Sequence, residues 1–210
     1  MKQLNWLISG LLFLTACHSA TTGTTTLPIF GDRQPITKTV DGKQVTDTLY
    51  QTIPAFKFVN QYGDTITNKS LDGKIYVADF FFTSCPSICP IMQRNMLTVY
   101  NEFKNDPNIK ILSHTIDPKH DTIPVLKNYA DKLGISGNSW WLLYGKREDI
   151  YQLAEKHYLV SVKDGKEGLI HEGWFLLVDK QKRIRGSYDG TVPEQVAKLV
   201  ADIHTLQQEK

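Results

Sequence analysis

Apolar and polar positions follow a regular pattern only from about Thr48 onward. Residues 53–59 alternate apolar with polar side chains, and the turn-forming residues 60–64 follow, which predicts a hairpin at the start of the domain. Residues 75–82 are almost continuously apolar, a pattern typical of a central strand that is covered on both faces. Such a strand requires further elements packed on both of its sides.

Helical and strand patterns alternate through the rest of the chain. Apolar residues recur at steps of three or four after Pro90, which predicts a helix over 90–104 with this proline in its first turn. The other predicted elements are strands at 109–116, 140–144, 157–162, 172–178 and 183–188, and helices at 122–133, 147–157 and 193–207. This alternation predicts an α/β sandwich with a mixed β-sheet.

The N-terminal part of the chain lacks this periodicity. A lysine precedes a mostly apolar stretch at 4–14, and residues 14–17 read Leu-Thr-Ala-Cys, the arrangement of a secretory signal peptide that ends in a lipobox. A transmembrane helix needs about 20 apolar residues, so we predict instead a signal peptide at 1–16 and lipidation of Cys17. Residues 17–47 are predicted to form a flexible tether, whose second part could pack on a domain spanning 48–210.

Such a leader predicts an extracytoplasmic lipoprotein, held on the periplasmic side of a membrane by its anchor. Outside the cytoplasm disulfides can persist, and after Cys17 is set aside only Cys85 and Cys89 remain to pair. A disulfide that closes so short a loop constrains the unfolded chain little, since the entropic gain grows with loop length. The cysteine pair therefore indicates chemistry rather than a structural staple.

The balance of charge argues against two classes of main partner. The chain has 24 basic and 22 acidic residues, and no basic run is interleaved with aromatic residues. Neither nucleic acid nor an acidic membrane face is therefore expected as the main partner.

The candidate chemistry lies where the central strand runs into the first helix. Free backbone N–H groups at a helix start lower the pKa of a cysteine, so Cys89 is expected to be the readier thiolate. His171 stands alone, far downstream in an otherwise apolar segment. Two thiolates and one imidazole would form a soft three-ligand set, which suits monovalent copper better than oxygen-preferring cations or a four-ligand zinc site. Cys85 and Cys89 can equally form a disulfide, so they are also a candidate redox pair.

Residues 83–90 read Thr-Ser-Cys-Pro-Ser-Ile-Cys-Pro, and residues 117–122 read Asp-Pro-Lys-His-Asp-Thr. Together with His171, these two segments resemble the signature of the Sco/SenC copper proteins. The resemblance covers about residues 53–204 in order and spacing. It implies a thioredoxin-like three-layer domain that carries copper, as Cu(I) or Cu(II), to the copper-site subunit of cytochrome c oxidase. Reduction of the cysteines at that subunit's binuclear site is a compatible second activity.

By matching position, the resemblance implies that Cys85, Cys89 and His171 are the copper ligands. The chain departs from the family pattern beside the histidine. The family often has an acidic residue just before it, whereas here Ile170 precedes His171 and Glu172 follows. The resemblance therefore does not identify a carboxylate that would orient the imidazole.

A thiol–disulfide oxidoreductase is the alternative function, with one cysteine attacking a partner disulfide and the other resolving the mixed intermediate. Whether the protein is an enzyme is accordingly open. Thioredoxins normally place a cis-proline opposite the redox pair, but no proline lies between Pro124 and Pro193, and His171 occupies that general region. This difference favours copper.

A thiol peroxidase is disfavoured by the residues before the first cysteine. No proline lies between Pro54 and Pro86, and Thr83 stands only two positions ahead of Cys85, so the usual peroxide-binding spacing is missing.

Other polar and sulfur-containing residues are given structural roles. Asp121 and Thr122 are expected to cap the following helix rather than to recognise a partner. Asp117 fits either the site or a turn before Pro118. Two methionines are assigned to the core rather than to the metal, Met92 and Met96. Four histidines receive no ligand role because they lack the paired spacing of a second metal site: His114, His120, His157 and His204.

Overall fold

A computed structural model describes residues 26–165 and 168–209 of the 210-residue chain. The predicted signal peptide and Cys17 lie outside the described residues. The strands are β1 (Arg33–Val40), β2 (Lys43–Tyr50), β3 (Lys57–Val59), β4 (Thr65–Thr67), β5 (Ile75–Phe81), β6 (Ile109–Thr115), β7 (Trp140–Leu143), β8 (Val162–Gly165), β9 (Gly168–His171), β10 (Trp174–Val178) and β11 (Ile184–Asp189). The helices are α1 (Cys89–Phe103), α2 (Ile123–Leu133), α3 (Arg147–Leu153) and α4 (Pro193–Gln208).

The central sheet has five strands in the order β11-β10-β5-β6-β7. β5, β6 and β7 run parallel, while β10 is antiparallel to both β5 and β11. Every residue of β5 is buried, as its continuous apolar sequence predicts for a strand with both faces covered. The predicted α/β fold with a mixed sheet is confirmed.

Helices cover both faces of this sheet and so make three layers. Neighbouring residues of a strand point to opposite faces. Phe81 packs against Tyr129 of α2, whereas Phe80 packs against Tyr158, which follows α3. The α1 and α4 helices pack against each other, and both contact the sheet. The carboxyl end of β5, where the cysteines follow, is therefore enclosed by packed elements.

The hairpin predicted at the start of the domain is formed by β3 and β4. It is attached to the edge of the fold through Val59, which exchanges backbone hydrogen bonds of 2.8 Å with Tyr144. Gly145 permits this close approach, since a Cβ atom there would lie 2.2 Å from the ring of Phe58.

A second hairpin, β1–β2, lies mostly within residues predicted to be a flexible tether, and β2 extends three residues beyond them. The two strands pair over their whole length, and almost all of their residues are exposed. Phe30, before the hairpin, pairs with Ile184 of β11, so the chain already contacts the domain upstream of residue 48. An ordered hairpin thus replaces part of the flexible tether predicted over 17–47. This part of the chain contacts the domain through Phe30, whereas the strands that follow, in the part expected to pack, are almost wholly exposed.

The segment between α3 and β10 also differs from its prediction. The helix predicted over 147–157 ends at Leu153 and continues as a π-helical turn, Ala154–Tyr158. Leu159, in the left-handed region with φ of 59°, ends it. The strand predicted at 157–162 is replaced by the hairpin β8–β9. This hairpin is a two-stranded sheet separate from the central one, and its last residue is His171.

No helix in the two described ranges is both long enough and apolar enough to cross a bilayer.

Candidate metal and redox site

Cys85 lies within the loop that joins β5 to α1, and Cys89 lies at the end of that loop. The backbone N–H of Cys85 donates to the carbonyl oxygen of Phe82 at 3.2 Å, which closes a tight turn after the strand. Cys89 is the first residue of α1, with Pro90 in the first turn as predicted. Both cysteines are free thiols, 8% and 1% exposed respectively. The structure therefore has the reduced form of the pair.

His171 is brought to the cysteines by the β8–β9 hairpin. Its Nε2 atom lies 3.0 Å from the sulfur of Cys89. The ligand atoms of Cys85, Cys89 and His171 all lie within 4.8 Å of one another. Residues separated by more than 80 positions thus converge on a space that fits one metal ion.

The tautomer of the histidine suits metal binding. Nδ1 of His171 lies 3.1 Å from the backbone carbonyl oxygen of Glu172, which can only accept a hydrogen bond. Nδ1 therefore carries the proton, and the lone pair on Nε2 faces the sulfurs. Burial lowers the pKa of His171, which favours the neutral ring. A backbone carbonyl thus orients the imidazole, while the Glu172 carboxylate accepts a hydrogen bond from the Ser161 N–H at 3.1 Å.

The pKa values of the two thiols differ in the direction opposite to the prediction, which expected Cys89 to ionise first. Burial raises the pKa of Cys89 far above its ordinary value, and a hydrogen bond from its thiol to Cys85 raises it further. Burial also acts to raise the pKa of Cys85, but hydrogen bonds from the Cys89 thiol and from the N–H groups of Ser87 and Cys89 outweigh it and lower the pKa. Cys85 is therefore the readier thiolate. The burial of Cys89 raises its pKa by more than the free N–H groups at the helix start lower it.

Asp79 is a buried charged residue near the site that the sequence analysis did not single out. It accepts hydrogen bonds from the Ser113 hydroxyl and from Gln93 of α1, the latter at 3.2 Å. Burial raises the pKa of Asp79 to about 7. A carboxylate inside the apolar run 75–82 was the available signal, since a charge in a doubly covered strand must be paired or neutralised.

A cleft of about 910 Å³ opens in front of Cys85 and His171. Asp117 lies on its rim, where its carboxylate contacts Nδ1 of the exposed His120 at 2.6 Å. Asp117 combines the two roles left open for it, because its carbonyl oxygen also accepts the backbone N–H groups of His120 at 3.1 Å and Asp121 at 2.9 Å in the turn that contains Pro118. Lys119 lines the same cleft and adds positive charge.

The capping role expected for Asp121 and Thr122 is wrong. Thr122 does occupy the N-cap position of α2, but no side-chain hydrogen bond caps this helix. Asp121 is fully buried and accepts hydrogen bonds from Thr83 and Thr115 instead. Met92 and Met96 are fully buried in the core, as predicted.

A family model described as SCO1/SenC matches residues 44–208 of the chain. The chain belongs to the SCO1/SenC family. It is 28% identical over 207 residues to the SCO1 protein homolog of Bacillus subtilis strain 168, an alignment that covers 97% of this chain and 96% of that protein.

Solved structures of SCO1/SenC proteins have the same fold. A SCO1/SenC family lipoprotein from Bacillus anthracis is 29% identical, with a TM-score of 0.70 over 75% of this chain and 96% of that chain. BsSco, described as a member of the Sco family of cytochrome c oxidase assembly proteins with a disulfide switch, is 28% identical, with a TM-score of 0.67 over 76% and 95%. ScoI of Bradyrhizobium japonicum, solved with copper bound, is 25% identical, with a TM-score of 0.61 over 74% and 99%.

Proposed function

We propose that this SCO1/SenC protein binds copper through Cys85, Cys89 and His171 and delivers it to the copper-site subunit of cytochrome c oxidase. The observation that carries the proposal is the convergence of the three ligand atoms within 4.8 Å. Two sulfur donors and one imidazole match the preference of Cu(I), and Cu(II) can use the same atoms with an added ligand. Copper is here the cargo that the protein hands on.

The open site suits transfer of the metal. Three protein ligands leave a coordination position free, so a donor atom of the acceptor can bind copper before a ligand of this protein leaves. The cleft in front of Cys85 and His171 gives an acceptor segment access to that position. Exchange by this route avoids release of the free ion.

The choice of acceptor rests on the relatives. BsSco is described as a cytochrome c oxidase assembly protein, and the Bradyrhizobium japonicum protein was solved with copper bound. Since the chain shares their family and fold, we assign it the same kind of cargo and acceptor.

The test is copper binding by the reduced, metal-free protein, measured by competition with a chelator of known affinity. The wild type should bind about one copper ion, and His171→Ala should weaken binding by 10-fold or more, on the order of the loss seen when groups around a metal site are removed. His204→Ala is the matched control, because it makes the same substitution at a histidine that pairs with Glu102 at 3.3 Å and does not line the cleft. Equal affinities in the wild type and His171→Ala would contradict the assigned site.

Delivery is tested separately by mixing the copper-loaded protein with the metal-free soluble domain of an oxidase copper-site subunit. Appearance of that domain's binuclear-copper absorption is the expected result. Retention of all copper by this protein, with the acceptor's cysteines reduced, would refute delivery but not binding.

Thiol–disulfide exchange is the second candidate function, favoured by the unequal thiols. The Cys85 thiolate would attack a disulfide of the acceptor and release one of its cysteines as a thiol. Cys89 would then displace the second acceptor cysteine, leaving a Cys85–Cys89 disulfide in this protein. With a disulfide-bonded peptide of the acceptor and no metal, His171→Ala should retain this single-turnover reaction, and Cys85→Ser should lose it. Equal loss in both variants would argue against an independent reductase activity.

We also propose that lipidation of Cys17 holds the protein at the extracytoplasmic face of a membrane. The lipobox supports this, as does the similarity to a family lipoprotein from Bacillus anthracis. Labelling with a radioactive fatty acid should mark the wild type and not Cys17→Ser. Labelling of both would refute lipidation at Cys17.

A further inference from the structure

The turn between β5 and α1 carries a contact to the imidazole at one end and a thiol at the other. Phe82, its first residue, packs edge-on against the ring of His171, with ring centroids 5.9 Å apart. Cys85, its last residue, donates its backbone N–H back to Phe82. Any rotation or shift of this turn therefore changes the position of the Cys85 sulfur relative to the imidazole.

Asp121 holds the second residue of this turn. One of its carboxylate oxygens accepts the backbone N–H of Thr83 at 3.0 Å, and the other accepts the Thr83 hydroxyl. The hydroxyl of Thr115, at the end of β6, donates to the carboxylate at 2.5 Å. Asp121 is completely buried, so these hydrogen bonds are shielded from competition with water. The carboxylate thus links the turn to the neighbouring strand of the central sheet.

We propose that Asp121 is a positioning residue, which fixes the Thr83 turn and thereby sets the Cys85 sulfur at a copper-binding distance from His171. This inference rests on the proposed copper-binding function. Asp121 is not one of the proposed ligands, since in the described part of the chain the ligand atoms that lie within 4.8 Å of one another are those of Cys85, Cys89 and His171.

A carboxylate fits this position because all three of its partners donate to it. Its two oxygens accept the N–H of Thr83 and the hydroxyls of Thr83 and Thr115 together. An asparagine at position 121 has one accepting oxygen, so its NH₂ group replaces one acceptor, and the hydroxyl opposite that group must accept instead of donate. The hydrogen of that buried hydroxyl then loses the acceptor it had, which is costly, so the turn should move.

Two aspartate variants test the proposal. Asp121→Asn is compared with Asp202→Asn, because Asp202 is also a buried carboxylate that accepts a hydroxyl hydrogen bond, from Tyr188 at 2.5 Å. Asp202 lies on α4, which contributes no residue to the cleft. Both variants lose a buried acceptor, so the control reports the effect of general destabilisation.

Three measurements separate positioning from a merely structural role. Asp121→Asn should weaken copper binding about 10- to 100-fold, as removal of groups that orient metal ligands does. It should shift the thiolate-to-copper charge-transfer band of the Cu(II) form, and it should accelerate hydrogen exchange of the Thr83 amide. Asp202→Asn should leave all three unchanged. An unchanged Thr83 amide would overturn the hydrogen-bond assignment, and faster exchange with unchanged affinity and absorption would overturn the positioning role.

Two threonine variants keep the test valid if Asp121→Asn does not fold. Thr83→Ser retains the hydroxyl that Asp121 accepts, whereas Thr83→Val removes it at similar volume. Thr83→Val should reproduce the loss of copper affinity and the spectral shift. Thr83→Ser should keep the copper affinity and the absorption of the wild type. Equal behaviour of the two variants would overturn the proposal.

A metal-independent measurement separates this proposal from the proposed function. Oxidised glutathione converts the Cys85 and Cys89 thiols to a disulfide and is itself reduced to two glutathione molecules. Since closure needs the two sulfurs aligned, Asp121→Asn should slow it at least threefold relative to Asp202→Asn. If the wild type binds no copper but disulfide closure is slower in Asp121→Asn, copper binding is refuted and the positioning role of Asp121 is supported. Closure at the wild-type rate in Asp121→Asn would contradict the positioning role itself.

Discussion

Cys85 and Cys89 have different surroundings although they are close in the chain. The sulfur of Cys85 lies on the cleft and is stabilised as a thiolate by N–H and S–H donors. Cys89 is 1% exposed, and burial keeps its thiol protonated. Proximity to a helix start is therefore insufficient to rank two thiols, because the cost of burying a charge exceeds the effect of the free N–H groups.

At the scale of single residues, we expect iodoacetamide to modify Cys85 before Cys89 in the reduced, metal-free protein. Because hydrogen bonds lower the pKa of Cys85, its reaction rate should rise at a lower pH than that of a free cysteine, whose pKa is about 8.5. Mass spectrometry of the alkylated peptides across a pH series measures both rates. Cys89→Ala, which removes one donor, should move the Cys85 profile to higher pH. Faster alkylation of Cys89 would contradict the ranking.

Asp79 should make stability depend on pH. Its carboxyl has a pKa of about 7 when folded and about 3.9 when unfolded, so between these values the folded state binds the proton more tightly. The free energy of unfolding of the wild type should therefore fall as pH rises from about 4 to about 7. Asp79→Asn has no carboxyl group to ionise at this position, so its free energy of unfolding should not fall in this way. Relative to the wild type it should rise by up to about 4 kcal/mol over that pH range. Urea unfolding at several pH values tests this, and a pH-independent difference would contradict it.

At the scale of elements, exposure explains why the β1–β2 hairpin was missed. Its strands are exposed on both faces, so no burial pattern distinguishes them from an irregular segment. The sequence did contain one signal, since Asp41 and Gly42 have φ of 50° and 75° at its turn and form a dipeptide typical of two-residue hairpins. The prediction of a flexible tether did not take this dipeptide into account.

This hairpin should be dispensable for the stability of the domain. Replacing residues 35–48 with Asn-Gly would join Gln34 and Leu49, which are paired in the ladder. The main loss is the exposed ion pair of Lys38 with Asp47, which is worth about 1 kcal/mol or less. The urea midpoint and copper affinity should therefore change little. A loss of stability above about 2 kcal/mol would show that the hairpin supports the core.

At the scale of the whole molecule, Arg185 of β11 joins both ends of the described chain to the sheet. Its guanidinium, 4% exposed, contacts Asp179 at 3.0 Å and Glu209 at 2.7 Å. It also donates to the carbonyl oxygen of Leu27 at 2.6 Å. The segment before the hairpin is thus held by a buried charge network rather than by apolar packing alone.

Removing this guanidinium should destabilise the fold strongly. Arg185→Met removes a buried partner of both Asp179 and Glu209. Asp179 keeps its ion pair with Arg183 at 2.8 Å, so the variant should lose about 3 kcal/mol in free energy of unfolding, the low end for a broken buried ion pair. Lys38→Met is the control, because its ion pair with Asp47 is exposed and should be worth at most about 1 kcal/mol. Similar losses in the two variants, measured by urea unfolding, would contradict the assigned importance of the network.

Much of the fold was predictable because its elements are buried. The continuous apolar run at 75–82 predicted the central strand, and the periodicity after Pro90 predicted α1 to within a residue at each end. Burial imposes these patterns, since side chains of one face must meet the core. The β1–β2 and β8–β9 hairpins and the end of α3 left no such pattern and were misplaced.

By itself, the sequence determined the α/β fold, the placement of Cys85 and Cys89 between a strand and a helix, and the candidacy of His171. Only the tertiary structure decided that the imidazole meets the sulfurs, that Cys85 ionises before Cys89, and that Asp121 holds Thr83. The reason is physical. Burial patterns and backbone preferences are local and remain visible along the chain, whereas desolvation and hydrogen bonding depend on groups that only folding brings together.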